Sequence, residues 1–225
     1  MEGSVMSRNS DEHITSAVSL IQAEQYKEAI ELLETYLEGN PDSLDAWYNY
    51  GCALGAIDRQ EDALKAYDEA LAIDNMIFEI WFNKASALHE LADFKKAKEC
   101  YEKALEINPE DAEAWNNLGN SHSRMGNGRA AIVAYTRAVA LKPDYAEAFY
   151  NKANAHFIEQ EDQHAIAYAE VALELNPSLE TRVNQWIHVS RARLTSAQDQ
   201  REYDKAKKEK KKISELDIRD SNSVD

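Results

Sequence analysis

The sequence predicts an all-α solenoid, and three observations predict it. One framework recurs five times at a spacing of 34 residues with nothing gained or lost: an alanine at Ala29, Ala63, Ala97, Ala131 and Ala165, and a large aromatic at Trp47, Trp81, Trp115 and Phe149. Prolines close the copies at Pro41, Pro109, Pro143 and Pro177, with Asn75 where the missing one would stand. Glycine is scarce, at 7 residues, while alanine, leucine, glutamate and lysine dominate, a composition that favours helix throughout. A period of this length marks units that each bury an apolar face only against their neighbours. Such a stack presents a long surface, so the function it predicts is the binding of other proteins.

The copies run over residues 10–43, 44–77, 78–111, 112–145 and 146–179, together the body at 11–177, after a small, polar and flexible segment at 1–10. The fourth copy shows how a unit becomes two helices. Trp115, Leu118, Gly119 and His122 follow i, i+3, i+4, i+7, one face of a first helix. Gly126-Asn127-Gly128 breaks it, and Ala131, Ala134, Tyr135 and Ala138 repeat the pattern for a second. Leu141-Lys142-Pro143 ends that helix, because proline cannot continue one and disfavours it in the residue before. The small Gly119 and Ala131 let the two backbones approach, with Trp115 and Tyr135 filling the space beside them. After the fifth copy, Val183, Trp186, Ile187, Ser190 and Leu194 predict one more amphipathic helix within 178–195 that caps the stack. Residues 196–225 are charged and polar, and predict a solvated helical extension running into a disordered tail.

Charge narrows the partners. The net charge is −16, yet residues 179–225 hold 11 Lys+Arg and 9 Asp+Glu, which leaves −18 for residues 1–178. So acidic a body repels nucleic acid and anionic membrane, and a basic or neutral polypeptide suits it better. Cys52 and Cys100 occupy unrelated repeat positions, which argues against a disulfide or zinc pair. No apolar stretch of signal or membrane-spanning length occurs, so a soluble, cytoplasmic chain is expected.

Trp115, Leu118, Gly119, Ala131, Tyr135, Ala138 and Pro143 are the residues by which this chain resembles the tetratricopeptide repeat family, over residues 10–179. The resemblance implies antiparallel helix pairs stacked into a right-handed superhelix, first helices lining a concave groove and second helices forming its back. The first copy departs, with His13, Ser16 and Ala17 where aromatic, leucine and glycine are usual, and reads as a capping unit. Lys84 and Lys152 replace an apolar residue; their stems are expected to pack while the ammonium reaches solvent.

In that family the second, fifth, sixth, ninth, twelfth and thirteenth positions of each first helix face the groove. The sixth position is Asn49, Asn83, Asn117 and Asn151, and the ninth adds Asn120 and Asn154 after Cys52 and Ser86. A carboxamide donates and accepts at once, which matches an extended peptide backbone. The pattern resembles the asparagine ladders by which some members of the family hold a peptide main chain. Sixth-position asparagine is also common in the family and solvates its helix without any ligand. The fifth position gives Tyr48, Phe82, Asn116 and Tyr150, and the second gives Asp11, Asp45, Glu79, Glu113 and Glu147. Aromatic faces and carboxylates favour Lys or Arg in a ligand, although a carboxylate in a first helical turn is also favoured by the helix dipole alone.

The expected function is therefore an interaction scaffold, an adaptor, chaperone or assembly factor, holding an extended and preferably basic segment. The alternative is a self-associating component that uses the consecutive apolar Met76, Ile77 and Phe78 or the C-terminal helix. Family members that grip the C-terminal carboxylate of heat-shock chaperones use cations at groove positions; here the only one is Arg124, so that clamp is not expected. His122 and His156 share a repeat position, with His89 and His188 nearby in register, and are expected to be packed rather than metal-bound. No phosphate loop, nucleophile elbow or HExxH occurs, so neither catalysis nor a cofactor is expected.

Overall fold

The computed structural model describes residues 12–194 and 201–211. The flexible segment expected at 1–10, Asp11 and the tail beyond 211 lie outside them. The chain divides into two compact units, Met1–Pro109 and Glu110–Asp225. The first holds α1 (Glu12–Gln22), α2 (Tyr26–Gly39), α3 (Leu44–Ala56), α4 (Gln60–Ile73), α5 (Phe78–Glu90) and α6 (Phe94–Ile107). The second holds α7 (Ala112–Arg124), α8 (Gly128–Leu141), α9 (Ala146–Ile158), α10 (Asp162–Leu175), a 3₁₀ turn (Pro177–Leu179), α11 (Glu180–Asn184), α12 (Ile187–Arg193) and a helical segment over 201–211. Within each unit the consecutive helices α1–α6 and α7–α10 pack together, with no strand among the described residues: the architecture is all-α and of the solenoid class.

Every pair closes through the same turn. Glu24, Asp58, Ala92, Gly126 and Gln160 all adopt φ between 58° and 77°. The next residue donates its N–H to the carbonyl five positions back, as in Gln25 to Leu20 at 2.8 Å, Asp93 to Leu88 at 2.9 Å and Glu161 to His156 at 2.9 Å. This is the Schellman termination, which satisfies carbonyls that a helix end would otherwise leave unpaired. Only Gly126 suits the left-handed conformation without steric cost. The Gly-Asn-Gly signal of the fourth copy therefore marks a turn that the other four make without it.

Packing explains the repeat framework. A Cβ on Gly51 or Gly119 would lie 2.5 Å from the ring of Tyr67 or Tyr135, so glycine is what lets each tyrosine press against the first-helix backbone. Ala29, Ala63, Ala97, Ala131 and Ala165 are all fully buried. The indole N–H of Trp47 donates to the Pro41 carbonyl at 2.7 Å, and that of Trp81 to the Asn75 carbonyl at 2.8 Å. That tether uses a carbonyl alone, which is why asparagine can stand at 75 in place of proline.

Four expectations change. Ile77 is buried and Phe78 is half-buried, stacked on Phe82 at 5.6 Å, so of the three consecutive apolar residues Met76, 70% exposed, offers most of the surface. Lys152 does not reach solvent: it is 3% exposed, with its ammonium 4.0 Å from the centroid of the Tyr168 ring. Lys84 keeps the expected compromise, its stem packed and its ammonium paired with Asp68 and over Trp81. The single helix expected within 178–195 is split, because Trp186 leaves helical geometry at φ −135° to bury its ring against Phe157, 5.0 Å away. Part of the charged extension docks: Tyr203 donates to Glu170 at 3.1 Å, Ala206 is buried, and Lys210 lies 3.8 and 3.7 Å from Glu170 and Glu174, all along α10.

Relieving one left-handed residue tests the turn. Ala92→Gly is expected to stabilise the protein by about 1 kcal/mol in urea denaturation, because an L side chain in that conformation costs roughly that much. A loss of stability would show that the turn does not carry this strain.

Candidate functional site

The first helices that carry the candidate residues are set at their N-termini. Ser43 caps α3 by accepting from the Ala46 N–H, and Asp111 caps α7 by accepting from the Ala114 N–H at 2.7 Å. Asp45, Glu79, Glu113 and Glu147 then fall in first turns, where the helix dipole favours a carboxylate.

In the second unit the carboxamides form one connected network. Asn116 is buried; its Nδ2 donates to Asn117 Oδ1 at 3.3 Å and its Oδ1 accepts from Asn151 Nδ2 at 3.0 Å. Asn120 Nδ2 reaches Asn117 Oδ1 at 3.5 Å, while Asn120 Oδ1 accepts from the Tyr135 hydroxyl at 2.8 Å. The tyrosine that glycine admits in α8 thus orients a carboxamide on α7, and Asn116 ties α7 to α9. Asn117 accepts inward and keeps its amino group unpaired among the described residues, half-buried at the surface. Asn154, also half-buried, has no hydrogen-bond partner among the described residues, because the fifth copy has Ala169 where Tyr135 stands in the fourth.

The first unit repeats this logic with other side chains. Asn83 Nδ2 donates to the Tyr48 hydroxyl at 2.8 Å and lies 3.5 Å from Cys52 Sγ, which also receives the Tyr67 hydroxyl at 3.8 Å. Ser86 Oγ pairs with the Tyr101 hydroxyl at 3.1 Å. Burial pushes the Cys52 thiol up to about 11 and the Tyr48 hydroxyl well above the usual phenol range, so both stay protonated and act as structure.

The two links between adjacent first helices, Tyr48 to Asn83 and Asn116 to Asn151, span 35 residues. The residue 35 before Asn49 is Ile14, which has no polar atom to bond. Asn49 instead turns onto its own helix, donating to the Asp45 carbonyl at 2.7 Å, and is fully buried. Tyr48 and Asp45 are buried with it. Those three residues, read from the sequence as ligand surface, offer none here. Phe82 is half-buried, with Phe78 and Tyr101 against its ring, and Glu79 is half-buried in the same helix. Glu113 is exposed.

The fifth copy shows what its carboxylate and aromatic can hold. Arg182 of α11 makes a two-pronged pair with Glu147, at 2.9 and 2.8 Å, and its guanidinium carbon lies 4.0 Å from the centroid of the Tyr150 ring. Arg182 lies beyond the repeats, and only the folded cap brings it to the second and fifth positions of the last one.

Disrupting the network is expected to cost more than trimming its edge. Asn116→Ala leaves Asn151 and Asn117 short of a partner and should lower stability by about 1–3 kcal/mol. Asn154→Ala should stay within about 0.5 kcal/mol, as surface substitutions do. Urea denaturation of both variants checks this; equal losses would show that the network does not hold α7 to α9.

Comparison with known proteins agrees with this geometry. Family models described as tetratricopeptide repeat match residues 14–75, 78–111, 112–145 and 146–179, more than half of the chain. No curated protein matches the sequence. Among solved structures, a crystal structure of MamA is 21% identical with a TM-score of 0.69, covering 73% of this chain and 96% of its own. MamA 41-end from Desulfovibrio magneticus RS-1 is 19% identical with a TM-score of 0.70, covering 74% and 94%. YrrB, described as a TPR protein with an unusual peptide-binding site, is 21% identical with a TM-score of 0.67, covering 73% and 85%. At these identities the likeness concerns the fold.

Proposed function

The chain belongs to the tetratricopeptide repeat family, and from that premise we propose that it is a protein-interaction scaffold holding an extended segment of a partner against its first helices. One observation carries the reading. Asn117 keeps its amino group, and Asn154 its whole carboxamide, unpaired among the described residues, while the side chains beside Asn117 are locked to one another. A carboxamide held by fixed neighbours meets a peptide N–H or C=O with little ordering cost at the moment of binding. The solved structure of YrrB, described as having a peptide-binding site, is a precedent on this fold.

The partner is a polypeptide with basic side chains. Glu147 and Tyr150, which hold the chain's own Arg182 by a two-pronged ion pair and a ring face, show how this repeat chemistry takes a cation, and Glu113 at the same repeat position as Glu147 is exposed for a partner's. With a net charge of −16 the chain selects against nucleic acid and anionic lipid, and its acidic second positions select against a terminal carboxylate such as that of a heat-shock chaperone. No described helix is long and apolar enough to cross a membrane. In this reading the chain binds and does not catalyse, and serves as an adaptor, chaperone or assembly factor in the cytoplasm. The first unit carries Asn83, Phe82 and Glu79 at the same repeat positions.

Peptides selected from a random phage-displayed library supply ligands for the test. Asn117→Ala with Asn154→Ala is expected to weaken the best of them by about 5- to 150-fold in fluorescence anisotropy, since each lost bond is worth about 0.5–1.5 kcal/mol. The selected sequences should be enriched in Lys or Arg, and their affinity should fall with added salt. Binding that survives the double substitution would move the interaction off this surface.

A further inference from the structure

Away from that surface, the turn joining α9 to α10 gathers three side chains with the chemistry of metal ligands. His156 ends the buried face of α9, Glu161 is the residue that precedes α10, and His164 lies in the first turn of α10. His156 Nδ1 and Glu161 Oε2 are 2.6 Å apart. One donor atom from each of the three residues lies within 4.8 Å of the other two. We propose that His156, Glu161 and His164 form a binding site for a borderline transition-metal dication, with zinc(II) as the reference ion.

The frame is rigid before any ion arrives. Gln160 holds the left-handed turn at φ 62°, and the Glu161 N–H donates to the His156 carbonyl itself at 2.9 Å, which fixes two ligand residues to each other through the main chain. The His156 ring is held by one face on Tyr168 at 5.3 Å, with the exposed His164 ring over it at 5.2 Å. An ion at ligand distances of about 2.0–2.2 Å needs donor atoms roughly 3–4 Å apart, a spacing reached when the exposed His164 ring turns out of the stack to present a nitrogen. His156 is 7% exposed, whereas the Glu161 side chain is 43% exposed. The site is therefore anchored inside and open outside, leaving a coordination position for water.

Donor chemistry sets the class of ion. Two imidazole nitrogens and one carboxylate oxygen suit zinc, cobalt, nickel or copper, whereas calcium and magnesium require oxygen cages. On binding, Nδ1 coordinates the ion and the ring proton is carried on Nε2, which is buried and has no hydrogen-bond partner among the described residues. The other copies share the turn but not the donors: the third places Leu88, Asp93 and Lys96 at these positions, and the fourth His122, Asn127 and Ala130. The set is specific to the fifth repeat.

Isothermal titration of the full chain with zinc chloride tests the proposal. Wild type should bind one ion, and its melting temperature should rise with added zinc. His164→Ala, at an exposed position that the fold does not depend on, should weaken binding about tenfold or more. Glu161→Gln should do the same, because it can keep the hydrogen bond to His156 while losing the anionic ligand. His13→Ala and His188→Ala, exposed histidines on other helices, should change nothing. Absence of saturable zinc uptake by wild type, or His164→Ala binding as tightly as wild type, would overturn the site. Binding lost in His13→Ala or His188→Ala would overturn it equally, by placing the ion elsewhere.

Discussion

The contact on which the repeat depends is a second-helix tyrosine pressed against a first-helix backbone. Tyr67 over Gly51 and Tyr135 over Gly119 sit where a methyl group would already collide. The contact brings the helices of a pair together, and it also places a hydroxyl. Tyr67, Tyr101 and Tyr135 each reach the side chain 15 residues earlier, Cys52, Ser86 and Asn120. A packing requirement thereby fixes the orientation of a polar group at the surface. Fold stability and surface chemistry share one residue.

The second link runs between neighbouring first helices. Each repeat is 34 residues, but the hydrogen bonds that tie first helices together span 35, from Tyr48 to Asn83 and from Asn116 to Asn151. Most sixth-position asparagines therefore have structural duties before any ligand is considered. Asn83 and Asn151 meet a polar residue one repeat and one position earlier, Tyr48 and Asn116. For Asn49 that residue is the apolar Ile14, and the Asn49 carboxamide folds back onto its own helix and leaves the surface.

The end of the second unit combines closure with charge. Val183, Trp186 and Ile187 bury the last apolar face, and the same segment carries Arg182 to Glu147 and Arg193 to Asp162. The helical segment over 201–211 adds Lys210 beside Glu170 and Glu174 on α10. The basic residues that follow the repeats thus neutralise part of the acidic body. A hydrophobic cap and a set of cation contacts share one segment.

The sequence by itself determined the period, the helix pairs, the tyrosine and glycine positions and the family, because each rests on a local pattern repeated in register. It also marked the carboxamides and carboxylates of the first helices. Of the five turns it marked only the one at Gly126, since Glu24, Asp58, Ala92 and Gln160 carry no signal for a left-handed residue. Nor could it separate the exposed Glu113 from the buried Asp45, which occupy one repeat position but meet different neighbours. The charge pattern after residue 196 reads as a solvated extension, yet Tyr203 and Ala206, its two apolar residues within the described segment, are enough to seat it on α10. Only the tertiary structure decided which side chains of a periodic set meet a partner one repeat away and which are left for a ligand. A hydrogen bond depends on both of its ends, and the repeat pattern specifies one.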